Sequence, residues 1–506
     1  MPRPFPILIF FSLVLVSKLS AGEPVRNVIL FVTDDQSQTL GCYGDAVADS
    51  PNIDMLAKNG VVFDLAFATT ASCSASRSVI LSGLHNHKNG QYGHQHHFHK
   101  FGAFPNVASL ALPRVMAKSG YRTARAGKYH VAPEVVFHFE KTVAGKGRDV
   151  VAMAEGCREF LSDQTDQRPF FLYFATQDPH RSGQVDANSK LELKPNLFGN
   201  KREGKKFGKE KSFDPANVPV PSWLNDDTET REELAHYYQS CSRVDEGLGR
   251  LIDILKENGQ LDSTMIIFTA DHGAAFSGAK TSVYEPGLRV PFVVHNPYAK
   301  KRGFRSKAMI SHVDITPTIL DFAKGLNRES NSPKKWENAN KLWDREKLFV
   351  GENRSGSNPF RTYQGKSFVD ALDDPEATHR DAIFGSHTFH EIQMYYPMRT
   401  FRDRKYKLIF NIAHKLDYPF ASDLFAASSW QRSFRAGMDA RYGQKSVGQF
   451  IQRPRFELYD MAADPYESRN LAADPAYAQT LADYQELLKQ TQKDLGDPWI
   501  TKWRYE

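Results

Sequence analysis

Three stretches of the chain are almost continuously apolar, a fourth is weaker, and all four end abruptly in charged or imidazole side chains. Unbroken apolar runs are typical of strands that are covered on both faces of a parallel sheet. Ligands bind outside the carboxyl ends of such strands, so four polar endings predict one shared site. The stretches are Asn27–Thr33, Tyr121–Ala126, Pro169–Thr176 and Thr264–Thr269, and they are followed by Asp34-Asp35, Gly127-Lys128-Tyr129-His130, Asp178-Pro179-His180-Arg181 and Asp271-His272-Gly273.

A different periodicity precedes the last of these strands and predicts a long helix. Apolar residues recur there at steps of three and four, from Leu234 to Leu255. Thr230 and Glu233 are expected to form a capping box at its start, and Asn258-Gly259 is expected to end it. Alternation of strands and helices over some 300 residues predicts an α/β fold, with a mostly parallel sheet between two layers of helices.

The pattern of apolar and polar residues changes after about residue 375. Short strands around 398, 406–410 and 455–460, followed by a terminal helix at 476–495, predict a smaller α+β domain with an antiparallel sheet. At the other end, residues 1–22 have the layout of a signal peptide: a positive start, an apolar core and small residues. The predicted division is therefore 1–22 signal peptide, 23–375 catalytic domain and 376–506 C-terminal subdomain. We expect an exported protein without stable membrane insertion, since no later apolar run approaches about 18 residues.

Composition narrows the function classes. The net charge of +6 is concentrated at 201–211, which is either a solvated loop or a surface that steers a polyanion. Export and the absence of interleaved aromatic residues argue against nucleic acid as a partner. The four cysteines are far apart and form no Cys-x-x-Cys pair, so a structural zinc site is not expected.

The charged strand endings predict a metal. Asp34, Asp35 and Asp271 would repel one another without a cation between them, and His272 adjoins them. Oxygen-rich ligation favours a hard divalent ion, calcium or magnesium, over zinc.

Positive groups accompany this expected metal. Lys128, His130, His180 and Lys280 add cationic charge and proton-transfer capacity. Cations beside a metal indicate a pocket for a tetrahedral oxyanion, either phosphate or sulfate.

Cys73 is the least obvious residue of the set. It starts a predicted helix four residues before Arg77, where a thiolate would have a lowered pKa and be nucleophilic. A thiol protease fits that arrangement, but it gives three clustered carboxylates no role, and a thiolate is too soft a ligand for a hard cation.

The segment Cys73-Ser74-Ala75-Ser76-Arg77 resembles the Cys-x-(Pro/Ser/Ala)-x-Arg signature of type I sulfatases. In that family a formylglycine-generating enzyme oxidises the cysteine to formylglycine (3-oxoalanine) during export. The four polar endings described above match the family in order. So does the late segment Glu457-Leu458-Tyr459-Asp460, which is followed by Asp464-Pro465, Glu467 and Asn470-Leu471.

The resemblance implies an alkaline-phosphatase-like fold and a set of roles. Calcium, rather than magnesium, would be held by Asp34, Asp35, Asp271 and His272 together with an oxygen of modified residue 73. One hydroxyl of the formylglycine hydrate would attack sulfur, and the other would later expel sulfate. Further roles are implied residue by residue: Arg77 and Lys128 stabilise the hydrate, His130 accepts its proton, Lys128 and Lys280 hold sulfate oxygens, and His180 protonates the leaving group.

Within the family the chain looks most like the sulfamidase branch, which cleaves N-sulfated glucosamine. The similar stretches are 127–134, 178–181 and 387–399, and they imply a substrate pocket formed by Asp178, Arg181, His387, Glu391 and Arg399. The histidine-rich run 94–99 is interpreted as a pocket wall, with a second metal site as its alternative.

Two residues depart from the sulfamidase pattern: His272 stands where that branch usually has Asn, and Lys280 where it tends to have Arg. An O-sulfatase acting on another sulfated polysaccharide therefore stays open, as does a catalytically dead glycan-binding homologue. A phosphoesterase of the same wider fold is disfavoured by the cysteine signature. A sulfated glycan is the expected substrate, and a homodimer is left open.

Overall fold

The computed structural model describes residues 25–145, 147–182, 194–200, 211–334 and 361–505. The predicted signal peptide and all of the basic run except Lys211 lie outside these residues.

An eight-stranded sheet forms the centre of the molecule. Its strands follow the order β4-β3-β5-β1-β6-β7-β2-β8, and among the described residues only β7 runs antiparallel to its neighbours. The four predicted strands stand side by side as β3, β5, β1 and β6, all parallel, so the prediction that their carboxyl ends meet is confirmed. The strands are β1 (Asn27–Thr33), β2 (Val61–Phe67), β3 (Arg122–Gly127), β4 (Lys141–Val143), β5 (Phe170–Ala175), β6 (Thr264–Ala270), β7 (Phe292–His295) and β8 (Phe304–Ser311).

Both faces of this sheet are buried, which explains the continuous apolar runs. On β1, Val28 and Leu30 belong to one hydrophobic core and Ile29 and Phe31 to a second core on the opposite face. Alternate side chains of a strand point to opposite faces, so the residues between Asn27 and Thr33 are apolar on both faces of β1. Charged residues follow where the strand ends, at Asp34.

Helices cover the sheet, and the longest, α7, begins and ends near the predicted positions. Its N-cap is Asp227, whose side chain accepts a hydrogen bond from the Thr230 backbone N–H. The predicted capping box is therefore wrong, since Thr230 and Glu233 lie inside the helix and are buried. The C-cap is Asn258, as predicted. The helices are α1 (Pro51–Lys58), α2 (Cys73–Ser82), α3 (Asn86–Asn89), α4 (Leu112–Lys118), α5 (Val150–Gly156), α6 (Arg158–Ser162), α7 (Thr228–Glu257), α8 (Glu285–Leu288), α9 (Ile315–Phe322), α10 (Ser422–Phe425), α11 (Ser428–Arg435), α12 (Val447–Ile451), α13 (Ala478–Leu495) and α14 (Lys502–Tyr505).

A second sheet follows in the C-terminal part, and it is antiparallel as predicted, in the order β11-β12-β13-β16. Helix α13 packs on this sheet. None of the helices in the described part of the chain is both long and apolar enough to cross a bilayer. The remaining strands are β9 (Leu326–Asn327), β10 (Ser332–Pro333), β11 (Ala382–His387), β12 (Met398–Asp403), β13 (Tyr406–Asn411), β14 (Arg441–Tyr442), β15 (Lys445–Ser446) and β16 (Phe456–Asp460).

Buried ion pairs fasten the second sheet to the first part of the chain. Arg402 of β12 donates to Glu285 of α8 at 2.9 Å, and Lys407 of β13 lies 2.6 Å from Glu467. Glu467 also accepts a hydrogen bond from the Glu285 backbone N–H at 2.6 Å. These contacts fix the C-terminal segments that reach the candidate site.

Candidate active site

Cys73 is the first residue of α2 and is completely buried. Its Sγ lies 3.4 Å from Nε2 of His272 and 3.7 Å from Oδ1 of Asp35. Burial raises the pKa of the Cys73 thiol well above its ordinary value. The lowered pKa expected for a thiolate at a helix start is therefore wrong, and the unmodified side chain is a neutral thiol.

Four residues offer metal-ligand atoms within 4.8 Å of one another: Asp35, Cys73, Asp271 and His272. His272 Nδ1 lies 2.9 Å from the Gly273 carbonyl oxygen. A donor at Nδ1 leaves the lone pair of Nε2 directed at the cluster, the tautomer that a metal-ligating imidazole needs. Burial raises the pKa of Asp271 to about 6. Two carboxylates, one imidazole and, after oxidation of the thiol, one further oxygen suit a hard divalent ion, so these residues fit the predicted metal.

Asp34 stands beside this group, but its carboxylate is bonded to cations. Arg77 Nη2 donates to Oδ1 at 3.0 Å and Lys128 Nζ donates to Oδ2 at 2.5 Å. Although burial opposes it, Lys128 and Arg77 hold the pKa of Asp34 well below its ordinary value. Asp34 therefore remains ionised next to the cluster.

Arg77 connects the strand ends to each other. Besides Asp34, its guanidinium donates to Asp271 Oδ2 at 3.0 Å and to the Tyr173 hydroxyl at 3.1 Å. The side chain of Arg77 is fully buried. Its guanidinium also donates to the carbonyl oxygens of Lys128 and Thr33. Arg77 therefore holds Asp34, which follows β1, and Asp271, which follows β6, in fixed positions.

Lys280 and His180 form the opposite side of the site. Lys280 Nζ lies 2.9 Å from Asp35 Oδ2, 3.0 Å from His180 Nε2 and 2.8 Å from Asp423 Oδ2. His180 Nδ1 lies 2.5 Å from the Arg181 carbonyl oxygen, which fixes the orientation of the ring. Burial, followed by the charge of Lys280, lowers the pKa of His180.

His130 belongs to a network of imidazoles that includes the predicted histidine-rich wall. His130 Nε2 lies 2.9 Å from His96 Nδ1, and His94 Nε2 lies 2.7 Å from His390 Nε2. His390 Nδ1 is in turn 3.0 Å from the hydroxyl of Ser72, the residue before Cys73. Burial, and then Lys128, lowers the pKa of His130 well below its ordinary value, so this imidazole is neutral near pH 7. The alternative prediction, a second metal site at the histidine-rich wall, is consistent with the geometry, because ligand atoms of Cys73, His94 and His130 also lie within 4.8 Å of one another.

Three of the five predicted pocket residues are held by buried ion pairs, and two of them, Asp178 and Arg181, follow β5. Asp178 lies between Arg148 and Arg243. Arg181 pairs with Glu233 at 2.7 Å, which is why that glutamate faces inward from α7.

The other three pocket residues lie in the C-terminal part. Arg399 is 1% exposed and pairs with Asp497 at 2.7 Å, and its guanidinium also donates to the His387 carbonyl oxygen. His387 is buried as well. Glu391 is half-buried and accepts a hydrogen bond from Ser422 at the start of α10.

Three residues of the site were not singled out from the sequence: Tyr173, His390 and Asp423. Tyr173 lies within the apolar run of β5, a position that the sequence pattern assigns to the hydrophobic core. His390 and Asp423 reach the site from segments more than 100 residues beyond the last strand ending. The available signal for Tyr173 was a hydroxyl group that needs a partner on an otherwise apolar strand.

Comparison with known proteins finds sulfatases among both the matching families and the similar sequences. The family described as Sulfatase matches residues 26–326. The chain is 33% identical, over 98% of its length and 95% of the relative's, to human N-sulphoglucosamine sulphohydrolase. It is 26% identical to an ulvan-active sulfatase of Formosa agariphila, over 95% of this chain and 81% of the relative. A solved protein in complex with its substrate D-glucosamine-2-N,6-O-disulfate superposes with a TM-score of 0.60 at 20% identity, covering 94% of this chain and 99% of the other, and supports the fold.

Proposed function

The chain belongs to the sulfatase family, and on that premise we propose that it hydrolyses sulfate from a sulfated sugar, namely the N-sulfate of glucosamine in heparan-sulfate-type glycans. One observation carries the proposal. In a chain similar over nearly its whole length to human N-sulphoglucosamine sulphohydrolase, Cys73 of the signature lies in one buried cluster with Asp35, Asp271 and His272.

Two groups would complete the site. Formylglycine at residue 73 would supply, as its hydrate, an oxygen nucleophile toward sulfur, and a calcium ion held by Asp34, Asp35, Asp271 and His272 would stabilise negative charge on that oxygen and on the sulfate. The neutral thiol of Cys73 agrees with a precursor rather than a nucleophile in its own right.

The basic residues have separate tasks. Lys128 is 14% exposed and Lys280 is buried, and they flank Cys73 by pairing with Asp34 and Asp35 respectively. The ammonium groups of Lys128 and Lys280 would bind the oxygens of a sulfate positioned for attack. Arg77 keeps the two strand ends in register around that position.

Proton transfers fall to the two histidines. His130 is neutral, and its Nδ1 has no hydrogen-bond partner among the described residues, so it can accept the proton from a hydroxyl of residue 73. His180 turns Nε2 toward Lys280 and Asp35 at the open side of the site. An amine is a poor leaving group unless it is protonated. His180, whose Nε2 faces the ammonium group of Lys280, would first take up a proton at Nε2 and then donate it to nitrogen as the S–N bond breaks.

The test is a substrate panel with the purified, formylglycine-containing enzyme. We expect sulfate release from N-sulfoglucosamine, with kcat/KM at least about tenfold higher than for glucosamine carrying sulfate at O-3 or O-6 or for a 2-O-sulfated uronate. Hydrolysis of O-sulfated sugars alone would contradict the N-sulfate assignment and leave the sulfatase assignment intact.

An O-sulfatase acting on another polysaccharide is the second candidate. The similarity to an ulvan-active sulfatase supports it, as do the point charge of Lys280 and the imidazole of His272. A guanidinium at position 280 would bind sulfate through two parallel hydrogen bonds, whereas the ammonium group of a lysine binds sulfate as a point charge.

The remaining parts of the proposal concern the protein in its cell. We propose export directed by residues 1–22, conversion of Cys73 by a formylglycine-generating enzyme during that export, and a boundary between catalytic and C-terminal parts near 375. A homodimer remains one option for the assembly.

A further inference from the structure

Helix α10 of the C-terminal part carries a carboxylate into the site. Asp423 Oδ2 lies 2.8 Å from Lys280 Nζ and 3.9 Å from His180 Nε2. The helix is held in place by Ala421 and Leu424, which are buried against Ala275 and Met394, and by the hydrogen bond from Ser422 to Glu391. Asp423 is therefore a fixed part of the site rather than a passing surface charge.

Lys280 does not need Asp423 for charge balance. Asp35 already pairs with the ammonium of Lys280 at 2.9 Å, and the side chain of Lys280 is completely buried. Asp423 and His180 are 18% and 27% exposed, so both side chains can be reached from solvent. The contacts of Asp423 with Lys280 and His180 are both made by Oδ2, which leaves Oδ1 as the second oxygen. The carboxylate thus has one oxygen engaged and one available beside the proposed proton donor.

The two kinds of sulfate differ in the charge that forms at this position. When the S–N bond of an N-sulfate is hydrolysed, the basic nitrogen takes a proton from His180 before the bond is fully broken and so carries positive charge in the transition state; it keeps the bonding electrons, leaves as an amine, and becomes an ammonium ion when it takes a second proton from water. When the S–O bond of an O-sulfate is hydrolysed, the leaving oxygen takes one proton and becomes a neutral hydroxyl. A carboxylate beside the leaving atom stabilises the positively charged nitrogen of an N-sulfate and contributes little to the neutral hydroxyl that leaves from an O-sulfate.

We propose that Asp423 is the residue that determines specificity for the N-linkage: its carboxylate receives the leaving amino group of glucosamine as the S–N bond breaks. This inference rests on the proposed function and deepens it. It explains why a second carboxylate lies on the open side of Lys280, where sulfate binding alone would favour only cations.

The test compares Asp423→Asn with the wild type on N-sulfoglucosamine and on an aryl O-sulfate, 4-methylumbelliferyl sulfate. Loss of one charged hydrogen bond in the transition state corresponds to about a tenfold lower kcat/KM for the N-sulfate. We expect less than about a threefold change for the aryl sulfate and weaker inhibition by the product glucosamine. Asp423→Glu, which keeps the charge, should restore part of the lost selectivity.

Asp417→Asn is the matched control, because it makes the same chemical change at an exposed position six residues earlier. Retained aryl-sulfatase activity shows that Asp423→Asn is folded. Equal losses on both substrates, or loss of all activity in both Asp423 variants, would overturn the inference and assign Asp423 to the positioning of Lys280. If the wild type releases sulfate only from O-sulfates, the proposed function fails and this inference fails with it.

Discussion

Replacement of Arg77 by methionine tests how the strand ends are held together. The Arg77 side chain is fully buried and lies 3.0 Å from both Asp34 and Asp271. Removing one partner of a buried ion pair costs about 3–5 kcal/mol, because a carboxylate is left buried without its counter-charge. Lys128 still pairs with Asp34 in the variant. We therefore expect the free energy of unfolding to fall by about 4 kcal/mol, mainly through Asp271.

The assay is equilibrium unfolding in urea, followed by tryptophan fluorescence and circular dichroism, with refolding checked and a chelator present throughout. Arg77→Lys keeps the charge but cannot bridge both carboxylates, so an intermediate loss is expected. Arg328→Met is the control: that side chain is 54% exposed and pairs with the exposed Asp370 and with Asp321, which keeps a hydrogen bond from Ser367, so its loss should stay within about 1 kcal/mol. If Arg77→Met costs no more than Arg328→Met, the reasoning about Arg77 is refuted.

Two further predictions concern pH and metal. Burial alone would raise the pKa of Asp497, but Arg399 lowers it to about 2. This is below the value of about 3.9 in an unfolded chain. The stability that the ion pair between Asp497 and Arg399 contributes is therefore complete above pH 4 and is lost as the pH falls toward 2. The difference in unfolding free energy between wild type and Asp497→Asn should shrink over that interval in urea titrations at stepped pH, and a constant difference would contradict the ion pair. Calorimetric titration of the formylglycine-containing protein with calcium should show binding. This binding should be lost in Asp35→Asn and kept in Asp262→Asn, a control at an exposed position. Unchanged calcium binding in Asp35→Asn would contradict the proposed ligand set.

The strand endings were predictable because their signal is local. An apolar run such as Asn27–Thr33 can be buried on both faces only as a central strand, and Asp34-Asp35 marks its carboxyl end. The same reasoning applied to β3, β5 and β6 placed four endings at one edge, which the sheet order confirms.

Contacts between distant segments were not predictable in this way. Thr230 and Glu233 have capping-box spacing, but Asp227 caps α7 three residues earlier, and Glu233 pairs with Arg181. Arg399, which stays a predicted pocket residue, forms an ion pair with Asp497. In each case the partner is chosen by tertiary packing, and no local spacing encodes it.

Asp423 illustrates the same limit at the site itself. It lies on a four-residue helix that has no strand or motif before it, and its neighbour Lys280 is 143 residues away in sequence. Only the folded chain shows that a C-terminal carboxylate stands beside His180.

The state of residue 73 is the most direct test of the account. The protein should be isolated after export by its own host, or after production with a formylglycine-generating enzyme, and the peptide containing residues 73–77 examined by mass spectrometry alongside sulfate release from N-sulfoglucosamine. We predict an aldehyde in place of the Cys73 thiol, with activity proportional to the converted fraction and absent in Cys73→Ala. An intact thiol in fully active protein would contradict the account.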